Sequence, residues 1–210
     1  MGKETVDPKY IKEGLLVWIS CFVVAEFLGI ISTFALLGME NPEVLSVLVY
    51  DSVTSVVRIA ALFYFSRIFG DNFVRSVVFD LSKIDEKYVL KVIPFLAITI
   101  AVDIFFTQLV EGVWKLQLFE AAFFYKYNVA YGIVPRIIYY LSGILSLNYI
   151  YLLFRKGIKI DLKFVDGGII GLFLLWSIPQ AVNVSPAVSL YSFLIILVIY
   201  LGYKHTRNPL

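Results

Sequence analysis

Cysteine and histidine are almost absent from this chain of 210 residues, and charge is scarce. The single cysteine, Cys21, allows no intrachain disulfide and no CxxC redox or zinc site; the expected role is filling a small packing gap in a helix. The single histidine, His205, excludes within this chain a bis-histidine haem, a histidine-rich zinc site and an HExxH protease. A Ser-His-Asp triad would have to fold that tail histidine back into the bilayer. No GxGxxG, Walker-type or GxSxG run occurs, so no nucleotide loop or nucleophile elbow is visible. Charged residues make up 16% of the chain and the net charge is +2, which gives no case for a nucleic-acid partner. No cofactor is expected and no metal is assigned.

What is present in excess is apolar surface. Hydrophobic residues are 60% of the chain and the mean hydropathy is +0.85. A soluble domain has about 45–50% apolar and about 25% charged residues. The same figures exclude disorder, collagen and coiled coil. The expectation is one polytopic domain over residues 1–210, an all-α, multi-pass integral protein of the cell membrane.

A spanning helix needs about 20 mostly apolar residues. Six runs qualify, at approximately 14–38, 44–69, 88–114, 129–154, 168–184 and 186–203. The fifth is short and carries Pro179. The runs are too long and too uniformly apolar for the alternating segments of a β-barrel. The first is longer than the apolar core of a cleavable signal and is expected to stay as an anchor.

Lysine and arginine sort the loops into two sides. The N-terminal segment, the second and fourth loops and the tail hold fourteen of them, whereas the other three loops hold two, Lys115 and Lys126. Cytoplasmic loops carry the positive excess. A six-transmembrane-helix bundle with N- and C-termini cytoplasmic follows. Between helices 2 and 3, Phe73, Val77, Leu81, Ile84 and Tyr88 fall on one helical face. That spacing predicts an amphipathic helix at the cytoplasmic interface.

With Arg67 and Lys91 counted in the second loop, six charged residues fall inside the predicted spans. They are Glu26, Asp51, Arg58, Asp103, Glu111 and Arg136. A bare charge at mid-bilayer costs about 2.5–3.5 kcal/mol on insertion scales, so Glu26, Arg58 and Asp103 should point into the bundle, whereas Glu111 and Arg136 could snorkel outward. Asp51, Ser55 and Arg58 share a helix face, and Asp103, Thr107 and Glu111 form a second stripe with Gln108 beside it. Asp51 and Arg58 are about 10.5 Å apart along their axis, too far to pair directly. Arg58 and Arg136 are therefore expected to find Glu26, Asp51 or Asp103 on other helices. Four acids against two arginines would leave the interior negative, which a cation or proton could balance. Tyr50-Asp51 matches half of the two-aspartate intramembrane protease signature, but no GxGD surrounds Asp103.

DPKYI at 7–11, RIFG at 67–70 and LLFRKGIK at 152–159 resemble the Yip-type membrane domain. That resemblance implies a trafficking scaffold. The family usually has five spans, one fewer than are read here, and no residue role is carried over.

Three functions fit the residues. The favoured one is a transporter or channel-like binder of a small solute, ion or proton. Glu26, Asp51, Arg58, Asp103 and Arg136 would form its polar core, with Gln108 and Glu111 toward the outside. The second is a non-catalytic membrane subunit or trafficking scaffold, with the charges fixing helix register and a membrane protein as partner. The third is a membrane-embedded lipid-processing enzyme, disfavoured because the acids sit at different depths on three helices. On the first reading Asp103→Asn abolishes transport and leaves the protein folded. Full activity of that variant removes Asp103 from the site, and loss of expression favours the structural role.

Overall fold

Backbone amides in hydrocarbon have no water to bond, so an apolar chain of this kind must satisfy them internally. Helices do so. In this computed structural model the described residues are 6–37, 43–70, 86–112, 114, 129–179 and 186–206. Among them no strand forms, and extended pairing is confined to the isolated bridges Val6–Ile158 and Asp161–Asp166.

The first helical rod joins α1 (Pro8–Trp18), a π-helical turn (Ile19–Val24) and α2 (Ala25–Leu37). Three long helices follow, α3 (Glu43–Phe69), α4 (Glu86–Glu111) and α5 (Val129–Gly157). A short α6 (Gly167–Leu172) widens into a second π turn (Phe173–Ser177), and α7 (Pro186–Thr206) ends the fold. Asp7 caps α1 by accepting the Lys9 N–H at 3.1 Å, with Pro8 at the first helical position. Helices α4 and α5 run through Pro94 and Pro135 without ending.

Four helices among the described residues are long and apolar enough to cross a membrane. They are Pro8–Leu36, Leu45–Phe69, Leu90–Leu109 and Val134–Gly157. The stretches expected as fifth and sixth spans contain shorter apolar helices, Gly167–Ser177 and Ser189–Gly202. In the fifth, Pro179 has no N–H for the carbonyl four residues back, and the helix widens into its π turn over that stretch. The carbonyl of Ser177 instead accepts the Ser189 hydroxyl at 2.7 Å. The residues from 73 to 85 of the expected amphipathic helix, the polar loop 115–128, and Gln180 and Asn183 lie outside the described residues.

Helix α5 is the hub. It packs against α1, α3 and α6, while α2 lies along α3. A continuous stretch of α5, Asn148 to Tyr151, is buried on every side, which marks a central helix. Helix α4 packs on α7, which also touches the second π turn. Facing outward, Phe27, Val56, Phe105 and Leu109 are each more than half exposed. Such a belt is an aggregation hazard in water and is the expected surface against lipid.

Lipid tails give apolar helices no drive to associate, so close approach through small residues carries the packing. A Cβ on Gly168 would run into the Tyr151 ring and lie 2.7 Å from the Tyr151 carbonyl oxygen; one on Gly171 would lie 2.6 Å from Phe154 Cβ. Gly168 and Gly171, one turn apart, thus mark the α5–α6 contact. Asp166 caps α6 from full burial. Its carboxylate accepts the Ile169 N–H at 3.0 Å and the Tyr151 hydroxyl at 2.5 Å, with Arg155 at 3.4 Å. Asp7 and Lys204, near the two ends of the described residues, meet the same α5–α6 connection. Asp7 donates its N–H to the Gly157 carbonyl at 2.6 Å, and Lys204 pairs with Asp161.

Gly168→Ala should lower unfolding stability in detergent by about 1–3 kcal/mol, because the Tyr151 carbonyl cannot move aside. A wild-type melting temperature for that variant would contradict the close contact.

Candidate functional site

Three helical rods bring four of the anticipated charges together. Glu26 comes from α2, Asp51 and Arg58 from α3, and Arg136 from α5. The seven-residue separation of Asp51 and Arg58 puts them on one face of α3, two turns apart. Each therefore meets a different helix. Arg58 pairs with Glu26, and Arg136 Nη1 lies 2.9 Å from Asp51 Oδ1.

Arg58 is the most heavily engaged member. Its Nε donates to the Cys21 carbonyl at 3.0 Å and its Nη1 to the Tyr139 carbonyl at 3.3 Å. The guanidinium carbon lies 4.9 Å from the Phe22 ring centre and 4.5 Å from that of Tyr139. Such face contacts strengthen when the cation is desolvated. Room for the group comes from Gly143, where a Cβ would stand 3.3 Å from Nη1. The Cys21 carbonyl belongs to the first π turn, in which Ala25 donates its N–H back to Ser20. A π turn inserts an extra residue into the helical ladder. Here a carbonyl of that widened turn accepts a side-chain donor from α3.

Tyr139 links the two pairs. Its hydroxyl donates to Glu26 Oε1 at 3.3 Å. Its ring centre also lies 5.5 Å from the Arg136 guanidinium, with Tyr140 at 5.4 Å. Nearby, Ser55 donates to the Asp51 carbonyl at 2.5 Å, Ser142 to that of Tyr139 at 2.9 Å and Ser146 to that of Ser142 at 2.7 Å. These hydroxyls satisfy themselves on their own helices.

Burial is unequal within each pair. The side chains of Arg58 and Asp51 are 3% and 2% exposed, whereas those of Glu26 and Arg136 are 23% and 22% exposed. Each pair thus has an enclosed member and a partly open one, and the open members carry opposite charges. The cluster is formally neutral, with two acids matched by two arginines. The excess of acid read from the sequence does not arise here.

Asp103 lies on another helix pair. Its Oδ1 accepts the Tyr191 hydroxyl of α7 at 2.6 Å, and the Tyr191 ring stacks on Phe106 at 4.2 Å. Thr107 is fully buried and donates to the Ile104 carbonyl at 2.9 Å. Gln108 Oε1 is buried with no hydrogen-bond partner among the described residues. Glu111 is the last residue of α4, and its side chain lies outside the described set.

Sequence reasoning missed Tyr139, Phe22, Gly143 and the Cys21 carbonyl. Tyr139 follows Arg136 by three residues and so shares its face. That signal was available. The π turn has no comparable mark in the sequence.

Arg58→Met removes a buried cation that satisfies Glu26 and two carbonyls. Breaking a buried pair on one side costs about 3–5 kcal/mol. Adding Glu26→Gln should recover part of that loss, giving a coupling energy of about 0.5–3 kcal/mol in a double-mutant cycle of unfolding. Strict additivity of the two changes would contradict a direct interaction.

No protein-family model matches the chain, and no curated protein and no solved structure matches it.

Proposed function

We propose that the chain is a six-span protein of the cell membrane, with both termini cytoplasmic, that binds and passes a small solute, ion or proton at the four-charge cluster. The carrying observation is the pairing of an enclosed charge with a partly open one at two adjacent places. Asp51 and Arg58 hold the open members in fixed positions. Glu26 and Arg136 are the groups a ligand would meet, the carboxylate suiting a cationic group and the guanidinium an anionic one. A neutral cluster with a fixed back and an open front avoids a net charge in hydrocarbon when empty.

The topology rests on two supports. Lysine and arginine divide fourteen to two between alternate loops. Asp7 and Lys204, near the two ends of the described chain, also both contact the one connection at 157–162, which supports the two ends lying on one side. An even number of crossings has that consequence. Asp103, with Gln108 and Glu111 on the same helix, is a second element of the proposed path.

A second reading is favoured by the bonds of Arg58 to two backbone carbonyls on different helices. Here the chain is a non-catalytic membrane subunit whose charges fix helix register. A subunit should co-purify with a stoichiometric partner.

Purified protein tested by thermal shift against amino acids, quaternary amines and alkali cations separates the two. Solute handling predicts that at least one probe raises the melting temperature, with the effect lost in Glu26→Gln and in Arg136→Gln. It also predicts that Arg136→Cys, in a Cys21→Ala chain, reacts with a water-soluble thiol reagent. Absence of any shift together with an unreactive cysteine would refute it.

A further inference from the structure

The connection between α5 and α6 is short and ordered by its own bonds. Leu162 donates its N–H to the Val165 carbonyl at 2.8 Å, Gly167 donates to that of Ile160 at 3.0 Å, and Asp161 bridges Asp166. The result is a tight hairpin over 158–166. Ile158 and Val165, at its base, pack against the core. Between them every residue from 159 to 164 is exposed, and Ile160, Leu162 and Phe164 are 39%, 62% and 57% exposed.

Lys159 and Lys163 interleave with this apolar row and are both exposed. Lys163 Nζ stands 5.1 Å from the Phe164 ring centre. The two acids of the hairpin are already engaged within the fold. Lys204 binds Asp161, whose carboxyl it holds below the usual range chiefly by hydrogen bonding and then by its charge. Asp166 is buried under Tyr151, Arg155 and the start of α6. The outward charge of the hairpin is therefore positive, beside a row of three large apolar side chains. The hairpin also joins directly to α5, a helix long and apolar enough to cross a membrane; a spanning α5 would set it at the level where hydrocarbon gives way to head groups.

We propose that this hairpin is a lipid-recognition surface, with Ile160, Leu162 and Phe164 entering the interfacial layer and Lys159 and Lys163 binding anionic phospholipid head groups. Charge complementarity selects the occupant. Apolar residues alone would accept any lipid, whereas exposed lysines beside them favour the anionic ones. The inference is independent of solute binding at the four-charge cluster and needs only that the chain spans a bilayer.

The test uses the full chain with Cys21→Ala and Leu162→Cys, labelled with an environment-sensitive fluorophore. It is reconstituted in vesicles of phosphatidylcholine alone and of phosphatidylcholine with phosphatidylglycerol. Quenching is read from spin-labelled phosphatidylglycerol and, separately, spin-labelled phosphatidylcholine. The expected result is a shielded label quenched more by the anionic lipid. That preference should fall about fivefold for each of Lys159→Gln and Lys163→Gln, and stay unchanged in Lys12→Gln. Equal quenching by both lipids would overturn head-group recognition. A label in water, quenched by neither, would overturn the interfacial placement. A co-purifying protein that shields the label in its stead would assign the surface to a protein partner.

Discussion

Everything in the core of this fold depends on how one guanidinium is satisfied where water is scarce. A buried arginine cannot shed its proton, so its charge and donors must be met by neighbours. Arg58 is met by a carboxylate on α2, a carbonyl in the first π turn, a carbonyl on α5 and two aromatic faces. Those groups come from two rods, and Arg58 itself from a third. Satisfying one side chain therefore fixes the relative position and rotation of all three. The pair of Arg136 with Asp51 repeats the constraint two turns along α3.

Other irregularities of the bundle serve the same need. Pure apolar helices in lipid slide and rotate at little cost, because every face is equally greasy. Specific contacts arise where the helix is widened or narrowed. The first π turn contributes the Cys21 carbonyl, and the second contributes the Ser177 carbonyl to Ser189. The two turns also touch, since Phe22 meets Trp176 edge-on at 4.9 Å. Glycines act at the opposite extreme. Gly143 admits the Arg58 guanidinium, and Gly29 lets α2 approach Tyr50 and Thr54 of α3. The fold is thus held by a few polar fixtures on a background of lipid-compatible surface.

Much of this was legible in the residues because lipid imposes simple rules. Long apolar runs had to be helices, and the limits expected for the second run, 44–69, lie within a residue of Glu43–Phe69. The cost of bare charge in hydrocarbon identified Glu26, Asp51, Arg58 and Arg136 as groups that must find partners, and the seven-residue gap within α3 showed that two partners were needed. Which acid met which arginine was not legible. Pairing depends on helix rotation, and uniformly apolar faces do not specify it. Asp103 illustrates the point. Its charge singled it out as strongly as the others, yet α4 packs on α7, where Tyr191 supplies its hydrogen bond. Backbone participation was hidden too, because a carbonyl freed by a π turn has no residue type to betray it. The buried cap Asp166 does carry a signal, an aspartate just before the apolar run that opens α6.

The interlock at Arg58 can be measured without any knowledge of cargo. Protein labelled with 15N in arginine side chains and 13C in glutamate carboxyls and cysteine carbonyls, held in lipid bilayers, allows dipolar couplings to be read by magic-angle-spinning NMR. The account predicts that one guanidinium couples to both the Glu26 carboxyl and the Cys21 carbonyl, and that Arg58→Met removes both signals at once. Coupling of Glu26 to Arg136 in place of Arg58, or a guanidinium with neither contact, would contradict it.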